Sequence, residues 1–175
     1  MIFNKKPTIT EELNSYATAL LQLSAKSAEG LRVEYKFSEE SSTLVMIQII
    51  GFSLINLRRQ FAANGLDDSV FGKCASNITE NMANIMIDDA SNRPAFLSFF
   101  QDKIQILINT YSNLPLENSD QSKGKSGTLL WEYGKLMSET ITGEEKDLVS
   151  ILECISVITN VQNAVKTGRL LRAVK

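Results

Sequence analysis

Apolar residues recur every three or four positions over most of this chain, which is the spacing of one buried helix face. The first stripe begins near Thr8, where Thr8 and Glu11 have capping-box spacing, and ends at Gly30. Four more apolar stripes follow, over residues 71–85, 96–111, 130–141 and 148–164. We find no internal repeat. This pattern predicts a mainly α fold, in which residues 1–175 form a single-domain helical bundle of five or six helices.

Residues 31–50 fit two different structures. Apolar and polar residues alternate over 31–38 as in a half-buried strand, and the β-branched run 43–50 would complete a small β-hairpin. Alternatively, Ser38 followed by two glutamates is a typical helix N-cap, and the helix would extend over 39–63. That helix is apolar nearly all round, as the central helix of a bundle is. We favour the helix and keep the small β-hairpin as the alternative.

Two later segments bear on function. Residues 113–127 (NLPLENSDQSKGKSG) collect Pro, Gly, Ser and charge without periodicity, which predicts a flexible surface loop. The last long helix carries two apolar stripes, which is more than one packing partner covers. We therefore expect this helix to be central in the bundle or part of a subunit interface, with Val157, Val161 and Ala164 as the candidate interface residues.

The charge and composition of the chain argue against binding to nucleic acid or to a membrane. The net charge is −2 and the pI is near 5.3, so no global field draws the chain to nucleic acid or to an anionic membrane. The preference of Lys and Arg for helix ends accounts for the cationic residues near the C-terminus, and docking to an acidic partner or to nucleic acid is the alternative. The N-terminus lacks the apolar core of a secretory signal, and the apolar run 43–57 is shorter than the ~20 residues that span a bilayer. We expect a cytoplasmic protein.

The chain contains no histidine, which removes the commonest general base and the commonest transition-metal ligand. Catalytic triads, His-ligated zinc or haem, and ferritin-like di-iron sites are therefore excluded. The two cysteines form no CxxC pair, so no zinc site is indicated. A carboxylate-magnesium hydrolase of the all-α type would need paired E-x-x-E and E-x-x-D motifs. Glu144 and Asp147 have the second spacing, but E-x-x-E occurs nowhere. We expect no cofactor and no metal.

Trp131, Tyr133 and Met137 follow the predicted loop. They would line a groove for a small apolar or peptide ligand, although Met and aromatic residues at helical spacing more often form core. Gly134, and also Gly51, would let another helix approach closely.

These observations favour one function over two others. The leading hypothesis is a non-enzymatic protein-protein interaction or regulatory module that forms a homo-oligomer, such as a homodimer. The first alternative is a binder of a small apolar or peptide ligand, and the second is the magnesium hydrolase.

Overall fold

The computed structural model of the protein describes residues 7–116, 125–144 and 147–175. Within these ranges it contains helices and no strands. The helices are α1 (Ile9–Tyr35), α2 (Glu39–Ala63), α3 (Asp68–Met86), α4 (Arg93–Tyr111), α5 (Leu129–Thr142), α6 (Leu148–Ala164) and α7 (Thr167–Val174). The predicted mainly α fold is confirmed. The predicted number of helices is too low, because a break at Val165 and Lys166 separates α7 from α6.

The β-hairpin alternative for residues 31–50 is wrong. Helix α1 continues past Gly30 to Tyr35, and it ends at Lys36, which adopts the left-handed conformation (φ 56°) and donates its backbone N–H to the Arg32 carbonyl. Ser38 then caps α2, because its hydroxyl accepts the Ser41 N–H. The apparent strand alternation arises because Leu31 and Tyr35, four residues apart, lie on the same side of a helix.

Helix α2 lies at the centre of the bundle. It contacts α1, α3, α4, α5 and α6, and every residue from Val45 to Ile55 is buried. This explains why its sequence is apolar nearly all round. By length and composition alone α2 would also suffice to cross a membrane, but most of its apolar stretch is enclosed by the other helices.

Hydrogen bonds fix the ends and the registers of the helices around α2. Arg59, near the end of α2, donates to the carbonyls of Ser112 and Leu114 at the end of α4, so these two helices run parallel. The Leu129 N–H donates to the Pro115 carbonyl at 2.8 Å and brings α5 back to the point where α4 ended. Of the predicted flexible loop, 113–116 and 125–127 are non-helical, and 117–124 lie outside the described residues.

Helix α6 is peripheral and rests chiefly on α5. The two helices approach closely because Gly134 has no side chain. A Cβ added there would lie 2.7 Å from Ile155 Cγ1 and 3.1 Å from the Ile151 carbonyl oxygen. The hydroxyls of Ser138 and Ser150 hydrogen-bond across the same contact. Gly51 likewise admits the Leu107 side chain of α4. The prediction that both glycines allow close helix approach is confirmed.

Candidate interaction surface

The solvent side of α6 carries no charged side chain. We call it the α6 face, and it consists of seven exposed residues, Leu148, Val149, Leu152, Ser156, Thr159, Asn160 and Asn163. Its first part is apolar, with Leu148, Val149 and Leu152 exposed by 55%, 71% and 48%. Its second part consists of short, uncharged polar side chains. An uncharged strip therefore extends along the whole length of the helix.

Glu153 is the one charged residue between Asp147 and Lys166, and its carboxylate is hydrogen-bonded at the side of the helix. It accepts a hydrogen bond from the Tyr35 hydroxyl of α1. Burial raises the pKa of Tyr35, and the hydrogen bond and charge of Glu153 raise it further, with a smaller contribution from Glu34. Glu153 therefore ties α6 to α1 and is the one charged residue of α6, at the side of the α6 face.

Other long helices of the bundle present charges to solvent. Exposed charged residues occur as Lys26 and Glu29 on α1, Lys73 and Glu80 on α3, and Asp102 and Lys103 on α4. The ordinary outer face of an amphipathic helix is charged in this way. Depletion of charge is instead the compositional mark of the centre of a protein-protein interface. The α6 face has the composition of such a centre.

The two ends of the α6–α7 segment carry opposite charge. At the start of α6, Asp147 caps the helix by accepting the Val149 N–H at 3.1 Å, and the side chain of Glu144 is exposed. Burial raises the pKa of the Cys154 thiol to about 12, and the charges of Glu153 and Asp147 contribute to this rise. The acidic groups therefore gather at this end of α6, where the sequence over 144–147 has three acidic residues and one lysine.

Helix α7 carries the cations. No acidic residue follows Glu153 in the sequence, and the exposed charged residues at the other end are Lys166, Arg169, Arg172 and Lys175. None of these four forms a salt bridge with a carboxylate in the part of the chain that the structure describes. The apolar side of α7, including Leu170, packs on the bundle. Only the cationic side of α7 faces solvent.

The predicted interface residues are only partly accessible. Val161 is buried, Val157 is half-buried against the core, and Ala164 is exposed near the end of α6. The exposed apolar residues lie at the start of the helix instead. Helical spacing groups Leu148 and Leu152 with the buried Ile151, so the apolar pattern alone could not separate them. The signal that would have identified the α6 face is the scarcity of charge over 148–165, where Glu153 is the one charged residue.

The predicted ligand residues lie on the inner side of α5. Tyr133 and Met137 are completely buried, and Trp131 is half-buried. The Tyr133 ring packs edge-on against Phe52, with 5.3 Å between ring centres, and against Tyr111 at 4.8 Å. A groove of about 350 Å³ lies elsewhere, between α3 and α4 over Leu54 of α2. Binding of a ligand at Tyr133 and Met137 would require this core to open, and it stays a prediction.

Replacement of Tyr133 by Phe is expected to raise the free energy of unfolding. The Tyr133 hydroxyl is buried and has no hydrogen-bond partner among the described residues, and burial raises its pKa strongly. A buried hydroxyl without a partner costs about 1–3 kcal/mol, so its removal should gain roughly 1 kcal/mol. Urea denaturation of the two proteins measures this gain. A loss of stability greater than about 1 kcal/mol would mean that the hydroxyl has a partner in solution.

The carboxylates of the magnesium hypothesis do not converge. Within 7–116, 125–144 and 147–175, no group of three or more Asp, Glu or Cys side chains is arranged to hold a metal ion. Asp68 forms a salt bridge with Arg58 at 2.7 Å, and Asp67 caps α3. The hydrogen bond from the Ser69 N–H lowers the pKa of Asp67. These residues act as structural charges on the surface.

The α6 face and the charges at its two ends are the features of the structure that bear on function. Comparison with protein-family models, with curated proteins and with solved structures finds no match to this chain.

Proposed function

We propose that this protein is a non-enzymatic module for protein-protein interaction and that the α6 face is its docking surface. The observation that carries this proposal is the absence of charged side chains from the exposed face of α6, a helix of 17 residues in which Glu153 is the one charged residue. The absence of histidine from the sequence supports a binding role over most kinds of catalysis.

The energetics of the α6 face favour docking. Burial of apolar surface contributes about 25 cal/mol per Å², and Leu148, Val149 and Leu152 leave such surface exposed. The remaining residues of the face are Ser, Thr and Asn. Burying long Lys, Arg or Glu side chains costs up to about 2 kcal/mol each in rotamer entropy, and the α6 face has none of these side chains. A partner helix would also find no charge to desolvate on it.

The position of α6 supports the same proposal. A wide apolar helix is accounted for if it is central in its bundle, but α2 occupies the centre here and α6 lies on the periphery. The excess apolar surface at its start is therefore explained best by a partner outside the monomer.

Site-specific photo-crosslinking tests the docking surface whatever the identity of the partner. We expect a benzophenone amino acid in place of Ser156, on the α6 face, to form a covalent adduct with a protein in living cells. The same group in place of Ser98, which is exposed on α4, is the matched control. It should give little or no adduct.

The mass of the adduct identifies the partner. An adduct at position 156 that disappears when Val149 and Leu152 are both replaced by Lys would support the proposal. Equal labelling from positions 156 and 98, or no adduct from either, would contradict it. Circular dichroism of the lysine variant shows whether it is folded, and we expect it to be, because both side chains already face solvent.

A further inference from the structure

We infer that the partner is a second copy of this chain and that the two α6–α7 segments pair antiparallel about a two-fold axis. This inference rests on the proposed function, because it names the occupant of the α6 face. The observation behind it is that the two ends of the exposed α6–α7 segment carry opposite charge. Glu144 and Asp147 stand at one end, and Lys166, Arg169 and Arg172 stand at the other.

One copy cannot bring these charges together by itself. The 17 residues of α6 separate them by about 25 Å at a rise of 1.5 Å per residue, and α7 continues with a bend of 47°. Glu12 of α1 lines one groove with Lys166 and Arg169, but none of the four cations at and around α7 forms a salt bridge with a carboxylate of the described residues. The acidic start of α6 in a second copy would supply further carboxylates to these cations.

The charges also select the direction of pairing. A parallel arrangement would place Asp147 beside the partner's Asp147 and cations beside cations, which is repulsive. An antiparallel arrangement places the acidic end of each copy against the cationic end of the other, and the helix dipoles of α6 oppose each other favourably. Each contact then occurs twice, and the assembly closes as a dimer.

The side chains near the axis allow close approach. If Asp147 lies opposite Arg169, an antiparallel register places Ser156 opposite Asn160 and Leu152 opposite Asn163 or Ala164. These central residues are uncharged and mostly short. The apolar start of each α6 then covers the small residues at the end of the other α6.

The area of the exposed α6–α7 segment sets the expected stability of the dimer. Helices are about 10–12 Å wide, so the α6–α7 strip buries roughly 400 Å² per copy, or about 800 Å² in total. Stable complexes bury about 1,200–2,000 Å². The dimer should therefore be weak and reversible. Sedimentation equilibrium from about 10 μM to about 500 μM covers the range in which it should form.

A charge exchange tests the pairing. The register that places Asp147 opposite Arg169 also places Glu144 opposite Arg172. We expect Arg172→Glu and Glu144→Lys each to weaken dimerisation by about tenfold or more, because the two-fold axis doubles each repulsion. A mixture of the two variants should restore dimers to about the wild-type level. In the mixed dimer one acidic–cationic contact is native and the other is exchanged, so both are attractive. Dimerisation of the wild type should also weaken as salt is raised.

Disulfide trapping tests the direction independently. Copies carrying Leu152→Cys and copies carrying Asn163→Cys should cross-link with each other more readily than with themselves. Ser98→Cys on α4 is the control and should stay monomeric. The native Cys74 and Cys154 are buried, and burial raises the pKa of both thiols, so they should not compete.

The possible results separate the two proposals. A wild-type protein that stays monomeric at the highest concentration, or variants that are not rescued by mixing, overturns the paired dimer. If photo-crosslinking at position 156 captures a different protein in that case, the proposed docking surface still stands. If position 156 gives no adduct while the charge exchange succeeds, the copies pair through their charged ends without covering the α6 face, and the docking surface is wrong. If both experiments fail, both proposals are wrong.

Discussion

Alanine substitution at consecutive positions of α2 should destabilise the protein severely at each of them. We expect Ile49→Ala and Ile50→Ala each to lower the free energy of unfolding by about 2–5 kcal/mol, the range for a large buried side chain. Both side chains are completely buried, and adjacent helix positions point about 100° apart. Each therefore packs on a different side of α2. Urea denaturation of the purified variants measures the loss.

The control lies on α6. Val149→Ala removes an apolar side chain that is 71% exposed, and it should change the stability of the monomer by no more than about 0.5 kcal/mol. A loss below about 1 kcal/mol for either α2 variant would mean that one side of α2 is open. The description of α2 as a central helix would then be wrong.

Gly134→Ala should destabilise the bundle, although Ala is ordinarily the better helix former by about 1 kcal/mol. The new methyl carbon would lie 2.7 Å from Ile155 Cγ1 and 3.1 Å from the Ile151 carbonyl oxygen. A backbone oxygen cannot move aside without shifting α6. We expect a net loss of about 1–3 kcal/mol, the usual cost of overpacking, measured by thermal and urea unfolding.

Gly72→Ala on α3 is the matched control. It lies inside a helix, and no atom lies within 4 Å of the position that its Cβ would occupy. This variant should be more stable than the wild type by about 0.5–1 kcal/mol. Equal stability of the Gly134 and Gly72 variants would show that α5 and α6 are not in close contact. Because α6 rests chiefly on α5, Gly134→Ala should also weaken docking at the α6 face.

Local signals in the sequence were sufficient for most of the fold. The capping box of Thr8 and Glu11 and the N-cap at Ser38 mark helix starts in the structure as predicted. They are short-range interactions, which a single sequence displays directly. The end of α1 was not predictable from Gly30, because a glycine inside a helix and a glycine at its end look alike until the conformation is known.

The break between α6 and α7 was not predicted, for a related reason. No Pro or Gly stands at Val165 or Lys166 to mark the break, and α7 beyond it packs against α1. Tertiary contacts of this kind override local preference and leave little trace in the sequence.

The candidate surface was predictable only in part. The excess apolar width of α6 predicted a helix that is central or part of an interface, and the structure places α6 at the periphery. Width alone does not show which apolar residues are covered. The side of α6 that is buried depends on how the helix is oriented where it packs against Gly134 of α5. This orientation exposes Leu148 and Leu152 and buries Val161. The ligand residues illustrate the same point, because Tyr133 and Met137 pack inward beside α2.

Docking at the α6 face requires that this face be covered when the protein is at work in the cell. A cysteine introduced at Ser156 can be alkylated with an uncharged maleimide both in living cells and in dilute purified protein, with Ser98→Cys as the reference in each case. We expect position 156 to react at least about twofold more slowly in cells than in dilute solution, relative to position 98. Equal relative rates in the two settings would show that the α6 face stays free, and its role as a docking surface would then be wrong.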